Sequence, residues 1–160
     1  MNLVFLDYDG VVNTLMFFPN EEKPRYYFAE DNKVNNYQAC RWVSKLCKET
    51  NSKIVVTSTW RECDNYKECL YNGGLDRDVE IIGKTGELDF ERGRGSEIYN
   101  FIKDFQEPIE HMVIIDDAED MDMYIPYLVK CNAFLGFTIM EYTKAIKILN
   151  IDIKDKSELL

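Results

Sequence analysis

The stretch Asn2-Leu3-Val4-Phe5-Leu6-Asp7-Tyr8-Asp9-Gly10-Val11 decides how this chain is read, because an apolar strand empties directly into two carboxylates one residue apart and then a glycine. In an open α/β sheet, ligands sit just beyond the carboxyl ends of the strands. An aspartate there can hold a hard cation, attack an electrophile, or do both. Two further apolar runs end in the same way. Lys53-Ile54-Val55-Val56 delivers Thr57-Ser58-Thr59, and His111-Met112-Val113-Ile114-Ile115 delivers Asp116-Asp117-Ala118-Glu119-Asp120. Three strands aiming carboxylates and hydroxyls at one rim are hard to explain as packing.

Around these runs, short apolar segments alternate with segments of helical period, the pattern of a mostly parallel sheet covered on both faces. Strands are predicted near 3–7, 53–57, 79–83, 111–116 and 127–132. Val34, Tyr37, Cys40, Val43 and Cys47 recur at three or four residues and predict an amphipathic helix over 34–49. Ile98, Phe101, Ile102 and Phe105 form a second stripe after Arg92-Gly93-Arg94-Gly95-Ser96. Tyr142, Ile146 and Leu149 form a third, behind a Thr138-Glu141 capping box. Thr59-Trp60-Arg61-Glu62 has the same T-x-x-E form, so a helix should start there and place Thr57 and Ser58 beside an anion-attracting N-terminus. One domain over 1–150 is expected, with 13–33, rich in aromatics and charges, as a flap. The charged tail 151–160 is expected to fray.

The chain has 160 residues, about the size of one domain. Its formal charge of -10 disfavours nonspecific nucleic-acid binding, which draws on spread-out Lys and Arg. A local cationic site for one phosphorylated end is still compatible with that charge. The five cysteines, Cys40, Cys47, Cys63, Cys69 and Cys131, are odd in number and form no C-x-x-C pair. They read as reduced thiols rather than a disulfide framework or zinc site. No apolar stretch reaches the roughly 20 residues of a membrane span and no charged leader precedes an apolar region, so the cytoplasm is the expected compartment.

The chain order Asp-x-Asp-Gly, strand-Thr-Ser, Arg before a helix, strand-Asp-Asp fits phosphoryl transfer. Asp7 would be the nucleophile, and Asp9 could protonate the leaving alkoxide and then take a proton from water. Thr57 and Arg94, with Ser58 beside them, would hold phosphoryl oxygens. Asp116 and Asp117 would complete the oxygen shell of a small hard cation such as Mg²⁺. Two readings are open for Arg61, substrate phosphate or a surface ion pair. Trp60 reads as packing. His111 opens a buried strand and reads as structural, which leaves a carboxylate mechanism as the route to hydrolysis.

On these residues the sequence resembles the haloacid dehalogenase (HAD) superfamily of phosphohydrolases. Asp7-Tyr8-Asp9-Gly10-Val11 matches its first motif, Ile54-Val55-Val56-Thr57 its second, Arg94-Gly95 its third and Ile114-Ile115-Asp116-Asp117 its fourth. Val56-Thr57-Ser58-Thr59-Trp60-Arg61 and Arg94-Gly95-Ser96-Glu97-Ile98 are similar to a small group that includes the HAD domain attached to RNA-repair proteins. The resemblance implies a Rossmann-like three-layer α/β fold. Because the first gap between motifs holds only the 13–33 flap and one helix, and the second, from Trp60 to Arg92, a helix, a strand and a loop, no substantial cap domain is expected. The resemblance also implies Mg²⁺ on Asp7, the Asp9 backbone carbonyl and a fourth-motif aspartate, and phosphatase chemistry, since Asp9 occupies the position that marks phosphatases. Arg92, Arg94 and Lys84 compete for the third motif, usually a Lys, and Asp116, Asp117 and Asp120 for the metal position of the fourth.

The expected substrate is a phosphorylated small molecule, a nucleotide or a nucleic-acid end. Phe17, Phe18, Tyr26, Tyr27 and Phe28 of the flap are candidates to stack on a base. A phosphoacceptor signalling domain would need a lone acceptor aspartate at the end of a central strand, and the second and third strands here end in Thr57 and Gly83. A phosphate-binding module without turnover would not need the full set of catalytic residue types that is present.

Overall fold

The computed structural model describes residues 1–17, 33–86 and 93–160. Five strands, β1 (Asn2–Leu6), β2 (Ser52–Val56), β3 (Ile81–Lys84), β4 (His111–Asp116) and β5 (Leu128–Lys130), form one sheet in the order β3-β2-β1-β4-β5. Every pairing is parallel. Among the described residues four α-helices, α1 (Tyr37–Thr50), α2 (Tyr66–Asn72), α3 (Gly93–Asp104) and α4 (Ile139–Leu149), pack against the sheet.

Both faces of the sheet are buried, which is why its strands read as continuous apolar runs rather than alternating ones. Val4 and Leu6 point with Ile54, Val56, Val113 and Ile115 into the cluster that takes in α1, α2 and α4. Leu3 and Phe5 point with Val55, Met112 and Ile114 toward α3. These are the three layers expected from the sequence. Among the described residues no cap domain stands over the sheet, and no helix is long and apolar enough to cross a membrane.

The α1 helix starts at Tyr37 because the Asn36 side chain accepts the Ala39 N–H at 3.0 Å, an N-cap that leaves Val34 outside. Tyr37 is consequently exposed, and the inward face is carried by Ala39, Cys40, Val43, Leu46 and Cys47. Burial pushes the Cys40 and Cys47 thiols up to about 12, so both are unreactive packing residues. The second capping box forms as predicted, with Thr138 accepting from Met140 N and Glu141 accepting from Thr138 N.

Two expectations are corrected. Thr59 does not cap a helix. Ser58 does, its hydroxyl oxygen accepting the Trp60 N–H, and Thr59–Glu62 forms a single 3-10 turn closed by Cys63 before α2 begins. The tail does not fray. Ile153 N donates to Glu110 O, His111 Nδ1 lies 3.0 Å from Ile151 O, and Leu159 is fully buried beneath Tyr124, whose hydroxyl donates to Leu159 O at 2.7 Å. Two apolar side chains in a charged segment suffice to dock it on the α3 face. Of the flap expected at 13–33, residues 18–32 lie outside the described residues, and so do Phe18, Tyr26, Tyr27, Phe28 and the side chain of Phe17.

Candidate active site

Strand register builds the site. Leu6 pairs with Val56 on one side and Ile115 on the other, so the next residue of each strand, Thr57, Asp7 and Asp116, emerges in a row at the carboxyl end of the sheet. The ladder continues into them, with Thr57 N donating to Leu6 O at 2.9 Å and Asp7 N to Ile115 O at 3.0 Å. The order reverses at β1, which makes this row the switch point where open α/β sheets bind ligands.

Carboxylate oxygens of Asp7, Asp116 and Asp117 all lie within 4.8 Å of one another. Gly10 allows this crowding. Its φ is +75°, and a Cβ there would stand 2.4 Å from Asp117 Cγ. Asp116 is fully buried; its Oδ1 accepts the Ala118 N–H at 2.9 Å and its Oδ2 has no hydrogen-bond partner among the described residues. Burial, reinforced by the neighbouring Asp7 carboxylate, holds the Asp116 carboxyl well above the ordinary range despite Arg94. An oxygen-only set of crowded carboxylates with one buried acceptor unmet fits a small hard cation such as Mg²⁺. Asp120 stands outside this set. Its Oδ2 accepts the Arg94 N–H at 2.9 Å, at the start of α3.

Arg94 faces the cluster, 3.6 Å from Asp116 Oδ2 and 3.9 Å from Asp7 Oδ1. Burial opposes its charge, but Asp7 and Asp116 in front and Glu97 and Asp120 behind more than offset this and raise its pKa. Lys84 is turned elsewhere, its Nζ donating to Arg61 O at 2.6 Å, and Arg92 lies outside the described residues. Thr57 is fully buried, and among the described residues neither its Oγ1 nor Arg94 Nη1 has a hydrogen-bond partner.

The Asp9 carboxylate is not part of the aspartate cluster. Asn13 Nδ2 donates to its Oδ1 at 2.7 Å and Trp60 Nε1 lies 3.2 Å from each of its oxygens. Sequence reasoning missed both contacts, since Trp60 reads as packing and Asn13 as the start of the flap. It also missed the state of Arg61, which is neither on the surface nor open to substrate but fully buried against Glu97.

Over residues 3–141 the sequence matches the family described as HAD domain in Swiss Army Knife RNA repair proteins, and the chain belongs to that family. Among solved structures it is similar to the HAD domain of effector protein Lem4 from Legionella pneumophila, at 20% identity and a TM-score of 0.55, covering 93% of this chain and 95% of that one. That likeness bears on the fold alone. No curated protein matches. Membership supports a HAD-type phosphohydrolase, in a family that generally uses Mg²⁺.

Proposed function

We propose that the protein is a Mg²⁺-dependent phosphatase that hydrolyses a terminal phosphate monoester through an aspartyl-phosphate on Asp7. One observation carries this reading. Among the described residues, two buried donors, Thr57 Oγ1 and Arg94 Nη1, and one buried acceptor, Asp116 Oδ2, are all without hydrogen-bond partners beside the Asp7 carboxylate. Buried polar groups are nearly always paired. Unmet donors match phosphoryl oxygens, and an unmet carboxylate oxygen matches a cation.

In this reading Asp7, Asp116 and Asp117, with the Asp9 backbone carbonyl, would hold Mg²⁺, which when bound offsets charge on the phosphoryl group. An Asp7 oxygen attacks phosphorus, the bond from phosphorus to the leaving oxygen breaks, and the Asp9 carboxyl gives that oxygen its proton. Water then attacks the aspartyl-phosphate, passes a proton to Asp9, and leaves Asp7 free with inorganic phosphate. Thr57 and Arg94 hold phosphoryl oxygens throughout. Ser58, occupied as a cap, supports the position of Thr57 and contributes less to phosphate.

The substrate we favour is the phosphorylated end of a nucleic acid. The family's description supports it, as does the lack of a cap over the sheet among the described residues. The test is Mg²⁺-dependent phosphate release from an aryl phosphate, then from mononucleotides and from 5′- or 3′-phosphorylated oligonucleotides. The expected result is turnover lost in Asp7→Asn and higher catalytic efficiency on the oligonucleotide than on the mononucleotide of the same terminus. A strong preference for the mononucleotide would replace the polymer end with a small metabolite.

A further inference from the structure

Among the described residues, Arg61 is the largest side chain with no exposed surface. A guanidinium does not lose its charge in a protein, so burying one is costly unless its charge and its N–H groups are met. The partners it has found are informative. Nε donates to Gly86 O at 3.0 Å, Nη1 donates to Thr57 O, and Nη2 lies 2.9 Å from Glu97 Oε2, off the hydrogen-bond axis. Lys84 Nζ holds the Arg61 carbonyl from the other side.

Two of those partners belong to the elements that carry the phosphate donors. Thr57 is held through its own carbonyl. Glu97 lies three residues after Arg94 in α3, close to the same helix face. Thr85 Oγ1 also donates to Glu97 Oε2, at 3.4 Å, so the end of β3 joins the same group. A single planar guanidinium therefore spans the interval between the end of β2 and the first turns of α3. Arg61 itself has no surface from which to touch a substrate.

We infer that the Arg61–Glu97 pair is a positioning device that sets the spacing between the Thr57 hydroxyl and the Arg94 guanidinium for phosphate. The inference rests on the phosphohydrolase reading of the site. Hydrogen bonds to phosphoryl oxygens work over a few tenths of an ångström, so a displacement of α3 against β2 removes one donor or the other. The cation ligands do not depend on the pair in this way. Asp7 and Asp116 are fixed by the β1–β4 ladder and Asp117 by the turn that faces Gly10.

The test compares wild type, Glu97→Gln, and the double variant Arg61→Met with Glu97→Leu, all well below their melting temperatures. Apolar replacement of both members of a buried ion pair commonly preserves folding, so the double variant keeps the test available if the single one is unstable. Calorimetry measures Mg²⁺ alone, then inorganic phosphate at saturating Mg²⁺. The expected result is Mg²⁺ affinity within about twofold of wild type and phosphate affinity lowered about ten- to hundredfold, the scale of a misplaced binding group. Phosphate affinity equal to wild type overturns the inference and leaves the phosphohydrolase reading standing. Parallel loss of Mg²⁺ and phosphate affinity also overturns it, because that is general loosening of the fold. Absence of phosphate binding in Mg²⁺-loaded wild type overturns both.

Discussion

The indole N–H of Trp60 lies 3.2 Å from each oxygen of the Asp9 carboxylate, which ties the turn after β2 to the loop after β1. Trp60 is nearly buried and packs on Tyr8 with ring centroids 5.8 Å apart, so its nitrogen is held from behind. With Asn13 on Oδ1, the donors fix the plane of the group proposed to shuttle protons.

Trp60→Phe keeps an aromatic ring and removes that donor. The effect should follow the leaving group, because poor leaving groups need proton transfer and good ones do not. We expect kcat/KM to fall about tenfold for an alkyl phosphate, a fraction of the roughly 10²–10⁴-fold that general acid catalysis supplies. For p-nitrophenyl phosphate the fall should be less than about threefold. kcat/KM compares free enzyme with the transition state for attack, so slow hydrolysis of the aspartyl-phosphate does not blur the comparison. Equal losses on both substrates would separate Trp60 from the proton-transfer step.

Asp116 contributes a pH dependence of its own to the stability of the metal-free protein. Its carboxyl holds a proton to higher pH in the folded state than the roughly 3.9 of an unfolded chain, because burial and Asp7 disfavour its charge. Between the two values the folded state carries a proton that the unfolded state has lost. Stability contributed by this group therefore falls as pH rises through the interval and is constant above it. Mg²⁺ takes the place of that proton, so the rise in melting temperature on adding Mg²⁺ should grow across the same interval and then level. At a hundred times Kd the gain is about 2.7 kcal/mol. Asp116→Asn should remove this contribution to the pH dependence and most of the Mg²⁺ shift, and chelation should abolish turnover in wild type.

Gly10→Ala tests the crowding directly. The added Cβ would need a φ of +75° and would stand 2.4 Å from Asp117 Cγ. A strained left-handed residue costs on the order of 1–3 kcal/mol, and Asp117 must move to admit the methyl group. Loss of both melting temperature and Mg²⁺ affinity is expected. An unchanged Mg²⁺ affinity would mean that Asp117 does not ligate.

The fold and the aspartates were legible because both follow from local pattern. Apolar runs ending in Asp or Thr name the strands and their exits, and parallel register then brings Asp7, Thr57 and Asp116 into one row. What could not be read depended on distant partners. Arg61 in a T-x-x-E segment looks like a helix-start residue, and its burial depends on Gly86 O and Glu97, both far along the chain, together with Thr57 O. The same holds for Trp60, whose indole nitrogen finds a carboxylate on another loop. Asp120 is set apart from Asp116 and Asp117 by the Arg94 N–H that its carboxylate accepts at the start of α3. The tail was misread because its charges outnumber the two apolar residues that dock.

That docking gives the last prediction. Leu159 is fully buried in the cluster on the α3 face with Met121 and Tyr124, and its carbonyl accepts the Tyr124 hydroxyl, whose pKa is pushed up to about 12 chiefly by burial. Leu159→Ala leaves a cavity and should cost about 2–5 kcal/mol. In a chain of this size each kcal/mol is worth about 2–4 °C, so a fall on the order of 10 °C is expected. Tyr124→Phe should cost about 0.5–1.5 kcal/mol by removing the hydrogen bond alone. Mg²⁺ affinity should stay near wild type in Leu159→Ala, since the cation ligands lie at the carboxyl end of the sheet and are held by β1 and β4. A melting temperature within a degree or two of wild type would show that the tail is not docked in solution.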